Sequence, residues 1–255
     1  MKIKVLGCSG AEFPGHNPSG FLLNDEVLFD AGSLTNVLDR SAQQKIRNIF
    51  ITHAHLDHIK GIPFLADNLF ITNNGYKVNI ISISHVIKTI RENLLNGQVW
   101  PDVIIKPGKK EGVLKFITIR DGRSMRINDV KVTPYRVNHS VPAVGYLVED
   151  LDGKRFFYTG DTGPADSVWQ KIGDRQIHTL IIEVSFPNKM KEIALMTGHL
   201  TSRLLREELL KIKRRPERIC VTHAKPQYLK TIKTELQSLK IRNLRLLRDG
   251  ETIMI

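Results

Sequence analysis

The sequence predicts a mixed α/β fold in which two sheets are covered by helices. Short β-branched or aromatic runs that close on Gly, Asp or His recur along the chain, amphipathic helical stretches are interleaved with them, and no Pro-, Ser- or Gly-rich stretch divides the 255 residues. One domain spanning residues 1–255 is therefore expected. In chain order, "IKVLG", "GFLL", "VLFDAG" and "RNIFITH" read as strands that end at loops. "SHVIKTIRENLLNG" reads as a helix with Ser84 as its N-cap, Val86, Ile90 and Leu94 on one face, and Gly97 at its end. From Val113 to Asp150 strands return, closing with "AVGYLVED", and "KRFFYTGDTG" adds another. "DSVWQKIG" is a short helix and "IHTLIIEVSF" a fully buried strand. "HLTSRLLREELLKI" carries the strongest helical pattern, with Thr201 or Ser202 as cap and Leu204, Leu205, Leu209 and Leu210 as its apolar positions. "RICVTHAKP" is a strand running into a loop, a helix covers about 227–239, and "GETIMI" ends the chain with a strand.

Composition bounds the function. Cys8 and Cys220 lie far apart and each sits near a strand, which favours buried thiols in a reducing compartment over a disulfide or a zinc ribbon. The opening "MKIKVLGCSG" breaks at Gly7 and Gly10, short of a signal peptide or a membrane span, so a soluble, cytoplasmic protein with no membrane partner is expected. The net charge of +12 suits an anionic substrate or nucleic acid. The cations are scattered, however, with local clusters only at Lys109–Lys110 and in "KIKRRPER", and a solvated basic surface is the plainer reading of either cluster. A homodimer is compatible with the sequence.

The stretch "FITHAHLDHIKG" places three of the nine histidines and an aspartate within six positions. At the end of an extended strand His53 and His55 should project to the same side, separated by the small Ala54. Asp57 and His58 follow as the chain turns into a helix and should face a neighbouring point. Imidazole and carboxylate are the ligands of borderline cations such as zinc, and a core has no use for four of them here. His139 in "RVNHSVP", Asp161 in "FFYTGDTG" and His223 in "ICVTHAKP" occupy the same kind of place, each opening a loop after a strand.

These residues, in this order, resemble the ligand set of the metallo-β-lactamase-fold hydrolases over nearly the whole chain. The resemblance implies a four-layer αββα sandwich and two divalent metal ions. His53, His55 and His139 would hold the first, Asp57, His58 and His223 the second, and Asp161 would bridge them. Zinc leads, and manganese or iron accept the same ligands. Narrower features, "HLDH" followed by Gly61, "TGHLTSRLLREEL", "THAKP" and the opening "VLGCSGAEFPGHNPSGFLL", are similar to the class II cyclic-nucleotide phosphodiesterases. Those enzymes tend to carry Ser-Pro a few residues after the Gly, where this chain has "IPFLADN". The transfer-RNA 3′-processing endonucleases share the ligands and pair a Glu after a buried strand with a His before a helix, a pair that Glu183 and His199 match by position. Between Gly61 and His139 no Gly/Pro-rich basic insertion resembles their RNA-gripping arm, which favours a small phosphodiester over folded RNA.

The implied chemistry is hydrolysis. Two cations about 3.5–4 Å apart lower the pKa of a shared water towards about 7, so that hydroxide can attack phosphorus in line. The leaving alkoxide needs a proton, and His199, held by Glu183, is the candidate acid, with Asp57 beside them in the catalytic set. The other reading makes His199 a neighbour of a helix cap and Glu183 a buried ion-pair member. Asp30 in "LFDAG" either orients a ligand histidine or performs strand-end turn chemistry. A β-lactam or thioester hydrolase would not need His199 or a basic surface, and a non-catalytic metal-binding module would be expected to have lost ligands, whereas all seven are present.

Overall fold

The computed structural model describes residues 1–71, 75–103 and 112–255. The Lys109–Lys110 cluster and part of the stretch compared with an RNA-gripping arm lie outside the described residues. The first sheet takes β1 (Lys2–Gly7), β2 (Gly20–Leu23), β3 (Val27–Phe29), β4 (Asn48–Phe50), β5 (Val78–Ser82) and β6 (Leu114–Thr118). The second takes β7 (Met125–Ile127), β8 (Val130–Arg136), β9 (Val144–Glu149), β10 (Arg155–Tyr158), β11 (Thr179–Glu183), β12 (Arg218–Thr222) and β13 (Leu244–Leu246). The final strand, β14 (Thr252–Met254), returns to the first sheet, giving the orders β14-β1-β2-β3-β4-β5-β6 and β13-β12-β11-β10-β9-β8-β7. Each sheet is antiparallel on one side, while β3 to β6 and β10 to β13 run parallel.

The parallel strands β11 and β12 read as near-continuous apolar runs because the partner sheet covers one face and helices the other. Between the sheets, Phe29 packs edge-on against Phe156 at 5.6 Å and lies 5.7 Å from Tyr146, joining residues of both layers in one core. A second core, with Trp169, Leu180, Leu205 and Ile232, fills the space between the second sheet and its helices. Those helices are α5 (Asp166–Ile172), α6 (Lys191–Thr197), α7 (Ser202–Lys211) and α8 (Leu229–Ser238), while α1 (Arg40–Gln43), α2 (Leu56–Ile59), α3 (Gly61–Ile71) and α4 (Ser84–Asn93) belong to the first half of the chain. Helices, two face-to-face sheets and helices make the αββα sandwich that the sequence implied.

Several local expectations change. Ile83, not Ser84, is the N-cap of α4, and no side chain caps that end; the helix stops at Asn93, before Gly97. Thr201 does cap α7, its hydroxyl accepting from Leu204 N at 3.3 Å, whereas Leu210 is 74% exposed and takes no part in the apolar face. The strand expected over 47–53 ends at Phe50 because Thr52 leaves the ladder, its amide donating to the Asp30 carboxylate at 2.8 Å. Both cysteines are free and buried. Burial pushes the Cys220 thiol up to about 11. No helix of the described residues is long and apolar enough to cross a membrane.

Candidate metal centre and active site

The parallel strands deliver their following loops to one edge of the sandwich, so residues distant in sequence meet there. β4 leads to His53 and His55, α2 carries Asp57 and His58, β8 leads to His139, β10 to Asp161, and β12 to His223. His53 Nε2 lies 3.0 Å from His55 Nδ1, which lies 3.2 Å from His139 Nε2. His58 Nε2 lies 3.4 Å from His223 Nε2, and Asp57 Oδ2 is 3.4 Å from His223 Nε2. Asp161 stands between the two groups, with Oδ1 3.3 Å from His58 Nε2 and Oδ2 3.3 Å from His223 Nε2 and 3.7 Å from His53 Nε2. Two sets of four potential donors therefore form, His53, His55, His139 and Asp161, and Asp57, His58, Asp161 and His223.

The outer hydrogen bonds fix which nitrogen faces inward. Thr52 Oγ1 donates to Asp30 Oδ2 at 2.8 Å, so it accepts from His53 Nδ1 at 3.0 Å. His58 Nδ1 donates to Asp30 Oδ2 at 2.7 Å, and His139 Nδ1 donates to the Gly198 carbonyl at 2.8 Å. Ser185 Oγ donates to Glu183 Oε2 at 2.7 Å and accepts from His223 Nδ1 at 2.8 Å. Each of these four imidazoles thus turns Nε2, not Nδ1, to the centre, the orientation that metal-ligating histidines adopt. Asp161 Oδ1 is buried and accepts no hydrogen bond. A buried carboxylate oxygen left without a donor is costly, and a divalent cation on either side removes that cost.

The electrostatics fit the same occupant. Burial and the charge of His58 hold His53 well below its ordinary range, and burial with neighbouring imidazoles lowers His55 and His139, which favours the neutral form that can ligate a cation. Burial opposes ionisation of Asp161, but the charges of His223 and His58 outweigh it and hold the carboxyl well below its usual range. Burial also disfavours charge on His58, yet Asp161 and Asp30 raise it well above its ordinary value. Two buried carboxylates flanking His58 mark a negative excess of the kind that metal cations satisfy.

Beside the centre, His199 Nδ1 lies 2.7 Å from Glu183 Oε1. Burial disfavours its charged form, but Glu183 outweighs that and raises it to about 9. Its ring stacks on His223 at 5.5 Å and approaches His139 at 5.0 Å. Glu183, His199 and His223 also form a cluster of potential donors. They are already joined by hydrogen bonds through Ser185, which makes them a proton-holding network rather than a third cation site. Gly198, at φ +72°, lets α6 end directly against this network, since a Cβ there would lie 2.8 Å from His139 Cα. Asp30, just after β3, sits at φ +57°, and its carboxylate accepts hydrogen bonds from Thr52, His58 and the Tyr158 hydroxyl. Ser185, Thr52 and Tyr158 were not singled out from the sequence. Ser185 alone carried a signal, lying two residues beyond Glu183 and so on the same side of an extended segment.

Fold and site together define an αββα sandwich of the metallo-β-lactamase type with two clusters of potential metal donors at one edge. The profile of the beta-lactamase superfamily domain matches residues 26–224, and the chain belongs to that family. It is 28% identical over 278 residues to a probable 3′,5′-cyclic-nucleotide phosphodiesterase of Yersinia pestis, an alignment covering 89% of this chain and 79% of that protein. It is 22% identical over 299 residues to a ribonuclease Z of Archaeoglobus fulgidus, covering 94% and 92%. In fold it matches the crystal structure of unliganded yeast PDE1 with a TM-score of 0.84 at 18% identity, covering 100% of this chain and 99% of that one.

Proposed function

We propose that the chain is a binuclear-metal phosphodiesterase acting on a small phosphodiester, with a 3′,5′-cyclic nucleotide as the leading substrate, and that residues 1–255 act as one domain in the cytoplasm. The observation that carries this reading is the unbonded, buried Asp161 Oδ1 between two sets of inward-facing imidazoles, with His199 held by Glu183 alongside. His53, His55 and His139 would hold one cation, Asp57, His58 and His223 the other, with Asp161 shared and zinc the leading metal. When bound, such a pair supplies Lewis acidity towards phosphoryl oxygens and an acidified water.

The protein's own groups do the rest. Asp30, Thr52, Ser185 and the Gly198 carbonyl hold His58, His53, His223 and His139 in the ligating tautomer. Glu183 holds His199 by Nδ1, leaving Nε2 to give its proton to the departing alkoxide. The similarity to a cyclic-nucleotide phosphodiesterase supports the small substrate. The second reading, transfer-RNA 3′-end processing, is supported by the similarity to a ribonuclease Z. A panel of bis-p-nitrophenyl phosphate, 3′,5′- and 2′,3′-cyclic nucleotides and precursor tRNA, with metal content measured on the same sample, separates them. Trimming of precursor tRNA with no turnover of any cyclic nucleotide would replace the first reading by the second.

A further inference from the structure

Ten of the twelve net positive charges lie in the 46 residues from 203 to 248, where fourteen Lys and Arg stand against four Glu. The fold gathers many of them around one groove. Helix α8 and strand β13, with the residues just after each, enclose about 610 Å³. Leu229, Leu236, Leu244 and Leu246 line it and pack on the second core. Exposed Lys233, Lys240, Arg242 and Arg248 rim it, and no Asp or Glu is among its lining residues. A smaller cavity of about 270 Å³, which shares Ile241, continues it towards Arg206 and Arg215.

β13 is also the open end of the second sheet. The Asn243 carbonyl accepts from Ile219 N at 2.9 Å and the Leu247 amide donates to Val221 O at 2.8 Å, so alternate backbone groups of this segment bond inward to β12. By that alternation Leu246 directs its amide and carbonyl outward. An edge of this kind is a template for an added strand, and an edge crowded with cations rejects another cationic chain.

We propose that this groove is a docking site for an acidic, extended segment of a partner protein, which adds a strand to β13, seats alternate apolar side chains on the leucines, and sets its carboxylates against Lys233, Lys240, Arg242 and Arg248. Three observations select this occupant. The open backbone edge asks for an extended chain. The aliphatic lining suits side chains, whereas single-stranded nucleic acid is gripped by stacking its bases on aromatic rings, and no aromatic residue lines the groove. A second copy would bring the same excess of positive charge against itself. The inference is independent of the reaction at the metal centre.

The test uses the full chain and a fluorescein-labelled ten-residue peptide of alternating glutamate and valine, with a lysine–valine counterpart and a single-stranded uridine 20-mer in parallel. Anisotropy should show saturable binding of the acidic peptide alone, and amide exchange should slow at Leu246. Reversing Lys233→Glu with Arg242→Glu should weaken binding at least about tenfold and leave bis-p-nitrophenyl phosphate turnover unchanged. Both residues are exposed, and the single Arg248→Glu variant, expected to weaken binding in the same direction, serves if the double variant melts early. Failure of the acidic peptide to bind, equal binding to the reversed variants, protection confined to other strands, or binding of the RNA in place of the peptide would overturn the proposal.

Discussion

The Asp30 carboxylate accepts a 2.7 Å hydrogen bond from His58 Nδ1 at the fully buried junction of the two sheets. The same carboxylate takes the Thr52 amide, the Thr52 hydroxyl and the Tyr158 hydroxyl, so one side chain ties a candidate ligand to both layers. Asp30→Ala leaves these donors unpaired and should destabilise the fold by about 3–5 kcal/mol, read in urea unfolding. Asp30→Asn keeps the shape but weakens the hold on His58, and metal affinity should fall about 10–100-fold. Unchanged metal affinity in Asp30→Asn would show that the bond does not position the ligand.

Ser185→Ala removes the acceptor of His223 Nδ1 and one donor to Glu183. Retention of the second metal equivalent should drop by about 10–100-fold while the His53, His55 and His139 set keeps its own. Competition against a chelator reads the two equivalents separately, and a parallel loss of both would mean that Ser185 supports the fold rather than one site.

Much of this centre was legible because metal ligation is concentrated in few residue types. The run from His53 to His58, and His139, Asp161 and His223 after strands, stand out by chemistry alone, and the structure places all seven at one edge. Less legible were the groups that orient them. Thr52, Ser185 and Tyr158 are common core or loop residues, and their value depends on partners 22, 38 and 128 positions away. The helix over Gly61–Ile71 escaped because apolar residues occupy both its buried and its exposed sides, Phe64, Phe70 and Ile71 being exposed, so that no periodicity marks it. The three-residue β13 is too short to show a period at all.

His199→Ala should lower kcat by about 10²–10⁴-fold on diesters with alkoxide leaving groups and by less than about tenfold on p-nitrophenyl diesters, because p-nitrophenolate leaves without a proton. Equal losses on both would assign His199 to substrate positioning.

Glu183→Gln changes the pH profile in a defined direction. His199 is raised from the ordinary histidine range to about 9, so it is protonated at neutral pH and loses its proton as pH rises through about 9. Removing the carboxylate charge lowers that value, and the basic limb of kcat should move to lower pH. The stability contributed by the pair is present in full below about 6.5 and lost as pH rises through about 9. A basic limb that stays in place would mean that another group supplies the proton.

The proposed reaction needs two cations that share Asp161. Metal-free protein titrated with zinc, with bound metal and cyclic-nucleotide turnover measured on the same samples, tests it most directly. Two equivalents should bind per chain, with turnover rising as the second site fills, and His55→Ala should retain fewer than two. Full turnover with one equivalent or none, or an unchanged stoichiometry in His55→Ala, would contradict it.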